Sequence, residues 1–406
     1  MRQRIHTLSS DQCIKQSLVE RSTSMPLGAS RARKRLRVFQ SMALSLTVSL
    51  LHILYIATSA QAQVKVPRNA YTLVDLGVNE WAIGEAINSS GQVVGNMGIH
   101  AFRTMGNQPI LPSADDLGVL PGHHRSFAYA INNNGVVVGF SANDAAYQWK
   151  AFRFGFNGGG MEDLHNISLG IHSAAFGIND FNWMVGSFTK SSQLTQAMIS
   201  FGPGSTFSLE FALGFPRESE AHAVNNNEQI VGWLSTSSTA PKAFLYDARI
   251  GVNRVVHLGI LPGGYTSKAL GINDLGHVVG QANQGAGWHA FLWKDDNNNG
   301  VSDPGEMRDL APGYPCSGAL SINNGGTAVG YYCSNSPQTY GEKRAFMFST
   351  NGQLVDLNTQ ILPGSGFTLR EAKGINDNGQ IVGWMQNQAG TVHTFRLDPV
   401  RRLFFP

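Results

Sequence analysis

Charge is scarce in this chain of 406 residues, since Asp, Glu, Lys and Arg together make up 14% of it. Glycine is abundant instead, with 46 residues, as is typical of an all-β protein rich in turns. No Gly-x-Ser-x-Gly, His-Glu-x-x-His, Gly-x-x-x-x-Gly-Lys or dinucleotide-binding fingerprint occurs. These absences exclude enzymes marked by such a motif, but not an active site assembled from distant segments.

A basic surface is also lacking once the first 62 residues are set aside. They hold a basic stretch (Arg31 to Arg37), an apolar run (Met42 to Thr58) and Ala60-Gln-Ala62, as in a secretory signal peptide cleaved before Gln63. The alternative is a membrane anchor, for which the run is short. The remaining 21 basic and 25 acidic residues change the net charge from +3 to −4, which weakens the case for nucleic-acid binding. We expect an exported protein, secreted or periplasmic, with no membrane span after cleavage.

One phrase recurs seven times and organises the rest of the chain. Each copy has an asparagine preceded by Ile or Val, a small residue two places before it, and a glycine seven places after it. The asparagines are Asn88, Asn132, Asn179, Asn225, Asn273, Asn323 and Asn376. The pattern predicts two strands joined by a tight turn, in which a glycine three places after the asparagine supplies a positive φ. Asn182 and Glu228 replace that glycine in the third and fourth copies, so we expect those two hairpins to be less regular.

Two further strands complete each unit. A third strand carries Ala-Phe or a close variant, and a fourth often reads Asp-Leu, as at Asp309-Leu310. Four short strands in 44 to 53 residues are typical of a β-propeller blade, whereas a β-solenoid or two open sheets are the alternatives. A fourth-type strand, Tyr71–Leu76, precedes the first hairpin, and the last unit lacks one. We therefore predict a linker at 63–70 and an all-β, seven-bladed propeller over 71–400, with four strands per blade, closed by Tyr71–Leu76 completing the last blade.

The third-strand phrase carries a resemblance to a known family. It reads His-Ala-Phe at His100 to Phe102 and at His289 to Phe291, and the other copies begin with Lys150, Gln196, Lys242, Arg344 and His393. In this respect the chain resembles the HAF-repeat extracellular proteins of bacteria, over about Tyr71 to Leu397. The resemblance implies an exported repeat protein of uncharacterised activity, and it brings no catalytic residues.

The loops that precede the first strand of each blade should share a face, here called the funnel face, with the loops between second and third strands. We expect a ligand pocket there for an anionic or carbohydrate ligand, although solvated loop charge without a ligand is the alternative. Trp81 is a candidate for stacking on a sugar. The polar candidates are His123, His124, Arg125, His172, Arg217, Glu220, Arg370 and Glu371, with the row His100, Lys150, Lys242, His289, Arg344 and His393 at the start of the third strands.

Residues Asp295 to Glu306 match the calcium-binding loop of EF-hands position by position. The predicted ligands are side-chain oxygens of Asp295, Asn297, Asn299, Asp303 and Glu306 and the carbonyl of Val301, while Gly300 makes the bend. Since strands flank it, we expect a structural calcium clamp on the face opposite the funnel. The alternative is an ion-free hairpin tip.

Of the three cysteines, Cys13 belongs to the signal peptide. Cys316 and Cys333 flank the sixth hairpin at equal distances from its turn at Asn324-Gly325. We predict a disulfide between them, in keeping with export, and two free thiols are the alternative.

Three functions remain in view. The first is a monomeric binding or scaffold propeller that recognises a glycan or an envelope protein. The second is an extracellular polysaccharide hydrolase or lyase, for which Glu220 and Glu371 are the only acids to name. The third is a purely structural surface repeat. Calcium is the only cofactor expected.

Overall fold

The computed structural model describes residues 70–77, 81–236, 239–250, 255–285, 287–334 and 343–400, so the predicted signal peptide lies outside the described residues. One short helix, α1, spans Pro112–Asp115, and single 3-10 turns span Phe156–Gly158, Ala248–Ile250 and Leu357–Thr359. Within the described ranges, no helix is long and apolar enough to cross a membrane. The strands are β1 (Tyr71–Asp75), β2 (Ala82–Ile87), β3 (Val93–Met97), β4 (His100–Arg103), β5 (Arg125–Ile131), β6 (Val137–Asn143), β7 (Gln148–Phe154), β8 (Met161–Asp163), β9 (His172–Ile178), β10 (Met184–Thr189), β11 (Thr195–Ser200), β12 (Thr206–Ser208), β13 (Glu218–Val224), β14 (Gln229–Ser235), β15 (Lys242–Asp247), β16 (Val255–Gly259), β17 (Ser267–Ile272), β18 (Val278–Gln284), β19 (Gly287–Trp293), β20 (Met307–Asp309), β21 (Ser317–Ile322), β22 (Ala328–Cys333), β23 (Lys343–Phe348), β24 (Leu354–Asp356), β25 (Phe367–Ile375), β26 (Ile381–Asn387) and β27 (Val392–Pro399).

These strands form seven antiparallel sheets arranged as a seven-bladed propeller, as predicted. Blades 1 to 6 take their strands in chain order from β2 to β24, and blade 7 consists of β25, β26, β27 and β1. Six sheets have four strands. Blade 1 has three, and its fourth position is reduced to a single bridge between Phe102 and Asp116.

The ring closes through the last blade. Strand β1 pairs with β27 in antiparallel register, from Tyr71 opposite Pro399 to Asp75 opposite Phe395. The predicted closure by Tyr71–Leu76 is therefore confirmed. It gives the outer edge of the last blade a strand from the other end of the propeller.

Every first strand carries a β-bulge three residues before the asparagine. The bulge brings the backbone of the first strand close to the glycine in the second strand. A Cβ built on Gly280, for example, would lie 2.0 Å from the carbonyl oxygen of Lys268, and the other six glycines are equally crowded. The glycine recurs because no side chain fits beside the bulge.

The repeated asparagines form a closed ring of hydrogen bonds between blades. In each blade the side-chain amide nitrogen donates to the backbone carbonyl of the next asparagine, at 2.9 to 3.1 Å, and Asn376 donates back to Asn88. In five of the seven copies the side-chain oxygen accepts two backbone N–H groups of its own turn, as at Asn273, where they come from Leu275 and His277. In Asn323 and Asn376 it accepts one. Each asparagine therefore fixes its own hairpin and joins it to the next blade. The sequence predicted the turn but not the hydrogen bond to the next blade.

The third and fourth hairpins are regular, contrary to our expectation. Asn182 and Glu228 adopt the positive φ of the glycines they replace, at 62° and 59°. Their N–H groups donate to Asn179 and Asn225 as in the other turns. The two bonds accepted by each turn asparagine hold the loop in place, which outweighs the cost of a side chain at positive φ.

The third strands supply the core between blades. The six repeated phenylalanines, and Met198 in the third copy, are fully buried. The alanine before them donates its backbone N–H to a buried serine of the next blade in five of the seven interfaces, as in Ala290 to Ser317 at 2.8 Å. The Ala-Phe phrase therefore recurs because both residues serve the packing between blades.

The predicted disulfide joins Cys316 and Cys333, whose Cα atoms are 5.2 Å apart. Near the turn the pairing is shifted from the symmetric register, because Ile322 faces Ala328. The bulge at Leu320 restores the register before the cysteines.

Candidate functional site

A central channel runs along the axis of the propeller, with a cavity of about 290 Å³ that all seven blades line. Its hairpin-face mouth is ringed by the residues after the asparagines: Ser89, Asn133, Asp180, Asn226, Asp274, Asn324 and Asp377. Asn and Asp alternate around most of this ring, so that each carboxylate lies between amides rather than beside another carboxylate. Asp274, for instance, accepts hydrogen bonds from Asn226 and Asn324.

The bulged residues of the first strands line the channel deeper inside. Unlike the asparagine and the glycine of the repeat, they include six residue types in seven blades. In chain order they are Glu85, Tyr129, Phe176, His222, Leu270, Leu320 and Lys373. The wall of the channel therefore differs from one side to the other.

Aromatic rings form one side of this wall, in blades 2 to 4. Trp149, Phe140, Tyr129, Phe176 and His222 form a continuous series, here called the aromatic arc, with centroid distances of 6.3, 5.9, 5.4 and 5.2 Å. The outer ring, Trp149, is 48% exposed, and the inner three line the channel. Burial, with the charges of Glu85 and Glu220, raises the pKa of Tyr129 to about 12, so its hydroxyl stays protonated. The arc is an apolar path from the funnel face into the channel.

Ion pairs form the opposite side, in blades 6, 7 and 1. Lys373 lies between Glu85, at 2.9 Å, and Glu371, at 3.9 Å, and Lys343 also binds Glu371. Burial alone would lower the pKa of Lys373, but Glu85 and Glu371 raise it above its usual value. Burial opposes the charge of Glu371 as well, yet Lys373 and Lys343 hold the pKa of that carboxyl below its usual range. Lys373 and Glu371 are therefore both charged at neutral pH. We call these two residues, together with Glu85 and Lys343, the ionic arc.

The two acids considered for hydrolysis lie on different first strands. Glu220 accepts hydrogen bonds from His222 at 3.2 Å and from the indole of Trp233 at 2.9 Å. Burial would raise its pKa, but these bonds and the charge of Lys268 lower it below the usual range. Glu220 and Glu371 are therefore both ionised, and neither is the protonated acid that glycoside hydrolysis needs.

The predicted basic row makes ion pairs within its own blades. His100, Lys150, His289, Arg344 and His393 contact Asp116, Asp163, Asp309, Asp356 and Asp75, respectively. These carboxylates also accept a backbone N–H two residues on, as Asp116 does from Gly118. Blade 3 has Gln196 at this position, and Lys242 in blade 4 lies opposite no acid. The first residue of the HAF phrase is thus half of a recurring pair between third and fourth strands.

The other predicted funnel residues are spread over several blades. Arg125 pairs with Asp144 at 2.5 Å, and His123 is buried. His124 contacts blade 2 through its backbone N–H, which donates to Ala142. Trp81 is 65% exposed beside blade 1. Only His172 joins the aromatic arc, since its ring lies 4.9 Å from Trp149.

The predicted calcium loop lies between β19 and β20. Glu306 is buried, and its carboxylate accepts the N–H groups of Asp296 and Asp303. The carboxamides of Asn297 and Asn299 both reach one oxygen of Asp303, at 2.7 Å. Three of the six predicted ligands therefore converge.

Comparisons with known proteins add the following. Residues 263–395 match a family described as "Protein of unknown function (DUF3466)". No curated protein matches the chain.

Similar solved structures include a prolyl endopeptidase, with 11% identity over 80% of this chain and 51% of that one and a TM-score of 0.49. TolB from Acinetobacter baumannii has 9% identity over 65% of this chain and 63% of its own, with a TM-score of 0.40. The Aleuria aurantia lectin has 9% identity over 82% of this chain and all of its own, with a TM-score of 0.35. The chain thus spans about half the length of the endopeptidase, and similarities of this size indicate nothing about activity.

Proposed function

We propose that this protein is an exported bacterial propeller that binds a glycan along the aromatic arc. The observation that carries the proposal is the contrast within the repeat. Positions that serve the fold recur in all seven blades, whereas the bulged position facing the channel carries six residue types. Each blade meets a different part of a ligand held in the channel, so different residues at this position suit a binding site.

The chemistry of the channel suits a sugar. A pyranose has an apolar face of C–H groups, which the rings of the arc can cover, and hydroxyl groups, which charged side chains can bind. Trp149, half exposed at the outer end, offers the first stacking surface. The disulfide agrees with an exported protein. Because Glu220 and Glu371 are both ionised, we favour binding over hydrolysis. An envelope protein is the second class of ligand, and the same experiment addresses it.

Thermal unfolding of residues 63–406 with a panel of bacterial and plant polysaccharides tests this proposal. We expect one class of glycan to raise the melting temperature. Trp149→Ala should weaken its binding at least tenfold in calorimetry, because stacking is lost at the entrance. Tyr265→Ala, at a ring 64% exposed elsewhere on the funnel face, is the control and should bind normally. A panel without any stabilising glycan, or an unaffected Trp149→Ala variant, would refute the proposal in favour of a protein partner or a structural role.

We also propose that the Asp295–Glu306 loop binds calcium as a structural clamp. The support is the oxygen-rich ligand set and the convergence of Asn297 and Asn299 on Asp303, since rotating an amide exchanges its nitrogen for its oxygen. Calcium would neutralise these carboxylates and tie the two ends of the loop together.

Melting curves with calcium or chelator measure this directly. The calcium-dependent rise should vanish in Glu306→Gln but persist in Asp296→Asn, whose side chain pairs with Arg308 and occupies a non-ligand position. Equal melting temperatures in calcium and chelator for the unaltered protein would mean an ion-free hairpin tip.

A further inference from the structure

A second cavity, of about 770 Å³, lies where the ring closes between blades 7 and 1. It is larger than the cavity in the central channel and separate from the aromatic arc. Its apolar wall includes Met97, Ile99 and Ile110, and its polar wall is formed by two ion pairs. We call it the seam cavity.

The cavity lies beside the incomplete part of blade 1. The fourth position of that blade is one bridge at Asp116 instead of a strand, and the chain before it runs through α1. Pro112 of α1 and Asp116 both line the cavity, next to Asp75 at the end of β1. Ile99 is 58% exposed at the opening of the cavity.

Two histidine–aspartate pairs face this one space. His100 Nδ1 lies 2.9 Å from Asp116, and His393 Nδ1 lies 3.1 Å from Asp75. An ionised carboxylate only accepts hydrogen bonds, so Nδ1 of the histidine is the donor in each pair. The carboxylates are fixed further by the N–H groups of Gly77 and Gly118. The cavity therefore presents acceptors and negative charge.

The same pair is more deeply buried in blade 5, where the side chains of His289 and Asp309 are only 11% and 14% exposed. At the seam the carboxylates of Asp75 and Asp116 are 37% and 35% exposed. The pair is a structural element of the repeat. At the seam, however, two such pairs face the same cavity, where a ligand can reach them.

We propose that the seam cavity binds an organic cation, with its ammonium group at Asp75 and Asp116 and its apolar body against Met97, Ile99 and Ile110. The sign of the ligand charge follows from the wall. It contains two carboxylates and two histidines, and no Lys or Arg is among the described residues that line it. Opposite charge is favoured near such carboxylates, and the apolar wall favours a body without further charge.

Calorimetry with two small probes of equal shape tests this proposal. We expect 2-phenylethylamine to bind the propeller at least fivefold more tightly than the uncharged 2-phenylethanol. Asp116→Asn keeps an oxygen for the N–H of Gly118 but removes one charge, so it should weaken amine binding at least fivefold and leave alcohol binding unchanged. Asp309→Asn, the same change in blade 5, is the matched control and should stay within twofold of the unaltered protein.

A second variant keeps the test valid if Asp116→Asn fails to fold. Ile99→Lys changes an exposed side chain, places a competing ammonium at the opening, and should weaken amine binding by a similar factor. The proposal is overturned if amine and alcohol bind equally, if Asp309→Asn weakens the amine as much as Asp116→Asn, or if neither seam variant changes binding. None of these outcomes depends on glycan binding at the aromatic arc.

Discussion

The hairpin face and the channel wall are built by the same seven repeats, but only the first is uniform. On the hairpin face every blade places the same asparagine, with the same bond to its neighbour. On the channel wall, three residues away in each strand, the aromatic arc faces the ionic arc. The comparison separates the part of the repeat that maintains the ring from the part that is free to differ.

The difference also bears on how strongly each position resists change. A residue of the hairpin face holds its own turn and the next blade, so its loss is felt in two blades at once. A residue of the channel wall faces solvent on one side and can be replaced at lower cost. Stability and ligand binding should therefore respond to different substitutions.

The largest effect is expected at the glycines beside the bulges. A Cβ at Gly280 would lie 2.0 Å from a backbone oxygen that cannot move without displacing the first strand. We expect Gly280→Ala to lower the free energy of unfolding by about 4 kcal/mol or more, measured by urea denaturation. Gly160→Ala, in a loop where a Cβ meets nothing within 4 Å, should be close to neutral. Equal stability of the two variants would mean that the crowding does not explain the repeated glycine.

The disulfide should come next. It closes a segment of 17 residues in blade 6, so removing it by Cys316→Ser with Cys333→Ser should cost about 3 kcal/mol. Urea denaturation of the double variant, compared with the oxidised unaltered protein, checks this figure. A reduced protein as stable as the oxidised one would show that blade 6 is stable within the propeller without its disulfide.

The asparagine ring gives a somewhat smaller effect. Asn273→Ala removes one donated and two accepted hydrogen bonds in a buried turn, which should cost about 2 kcal/mol. Asn324→Ala, at the exposed mouth of the channel, should cost less than about 1 kcal/mol. If the two variants lose equal stability, the asparagine ring stabilises the protein no more than the exposed hydrogen bonds at the channel mouth do.

The smallest effect concerns Glu220, the hydrogen-bond partner of His222 in the channel wall. Because the pKa of Glu220 is lowered on folding, the stability it contributes is present above its ordinary value of 4.5 and lost as pH falls through the lower folded value. Glu220→Gln should therefore cost about 1 kcal/mol at pH 6 and progressively less towards pH 3. Denaturation curves at both pH values measure it. A cost that stays constant with pH would argue against an ionised Glu220.

Much of the fold could be predicted from sequence because the repeat is local. The asparagine and glycine of each hairpin lie within eight residues, and strand counting gave seven blades and their closure. Contacts between copies of the repeat were harder to predict from the sequence, because the partner of each asparagine is a carbonyl in the next blade. Two signals were nevertheless present. Seven glycines recur inside a strand, where close backbone approach is the usual reason, and a basic third-strand residue accompanies an Asp in the fourth strand of five blades.

The candidate sites depended more on three-dimensional placement. No property of Trp149 or Phe140 in the sequence indicates that their rings meet, because they come from different strands of a twisted blade. The seam cavity lies beside Asp116, where the fourth strand of blade 1 is reduced to a single bridge. The Asp-Leu phrase at Asp116-Leu117 gives no sign of that difference from the other blades.

The pairing of β1 with β27 also sets the order of assembly. His393 and Asp75, which meet there, are 318 residues apart, so the contact must wait until nearly the whole propeller has been synthesised. Closing so long a segment is slow, and until then β27 has no partner on its outer edge. The last blade is therefore the only one whose fourth strand is made first and placed last.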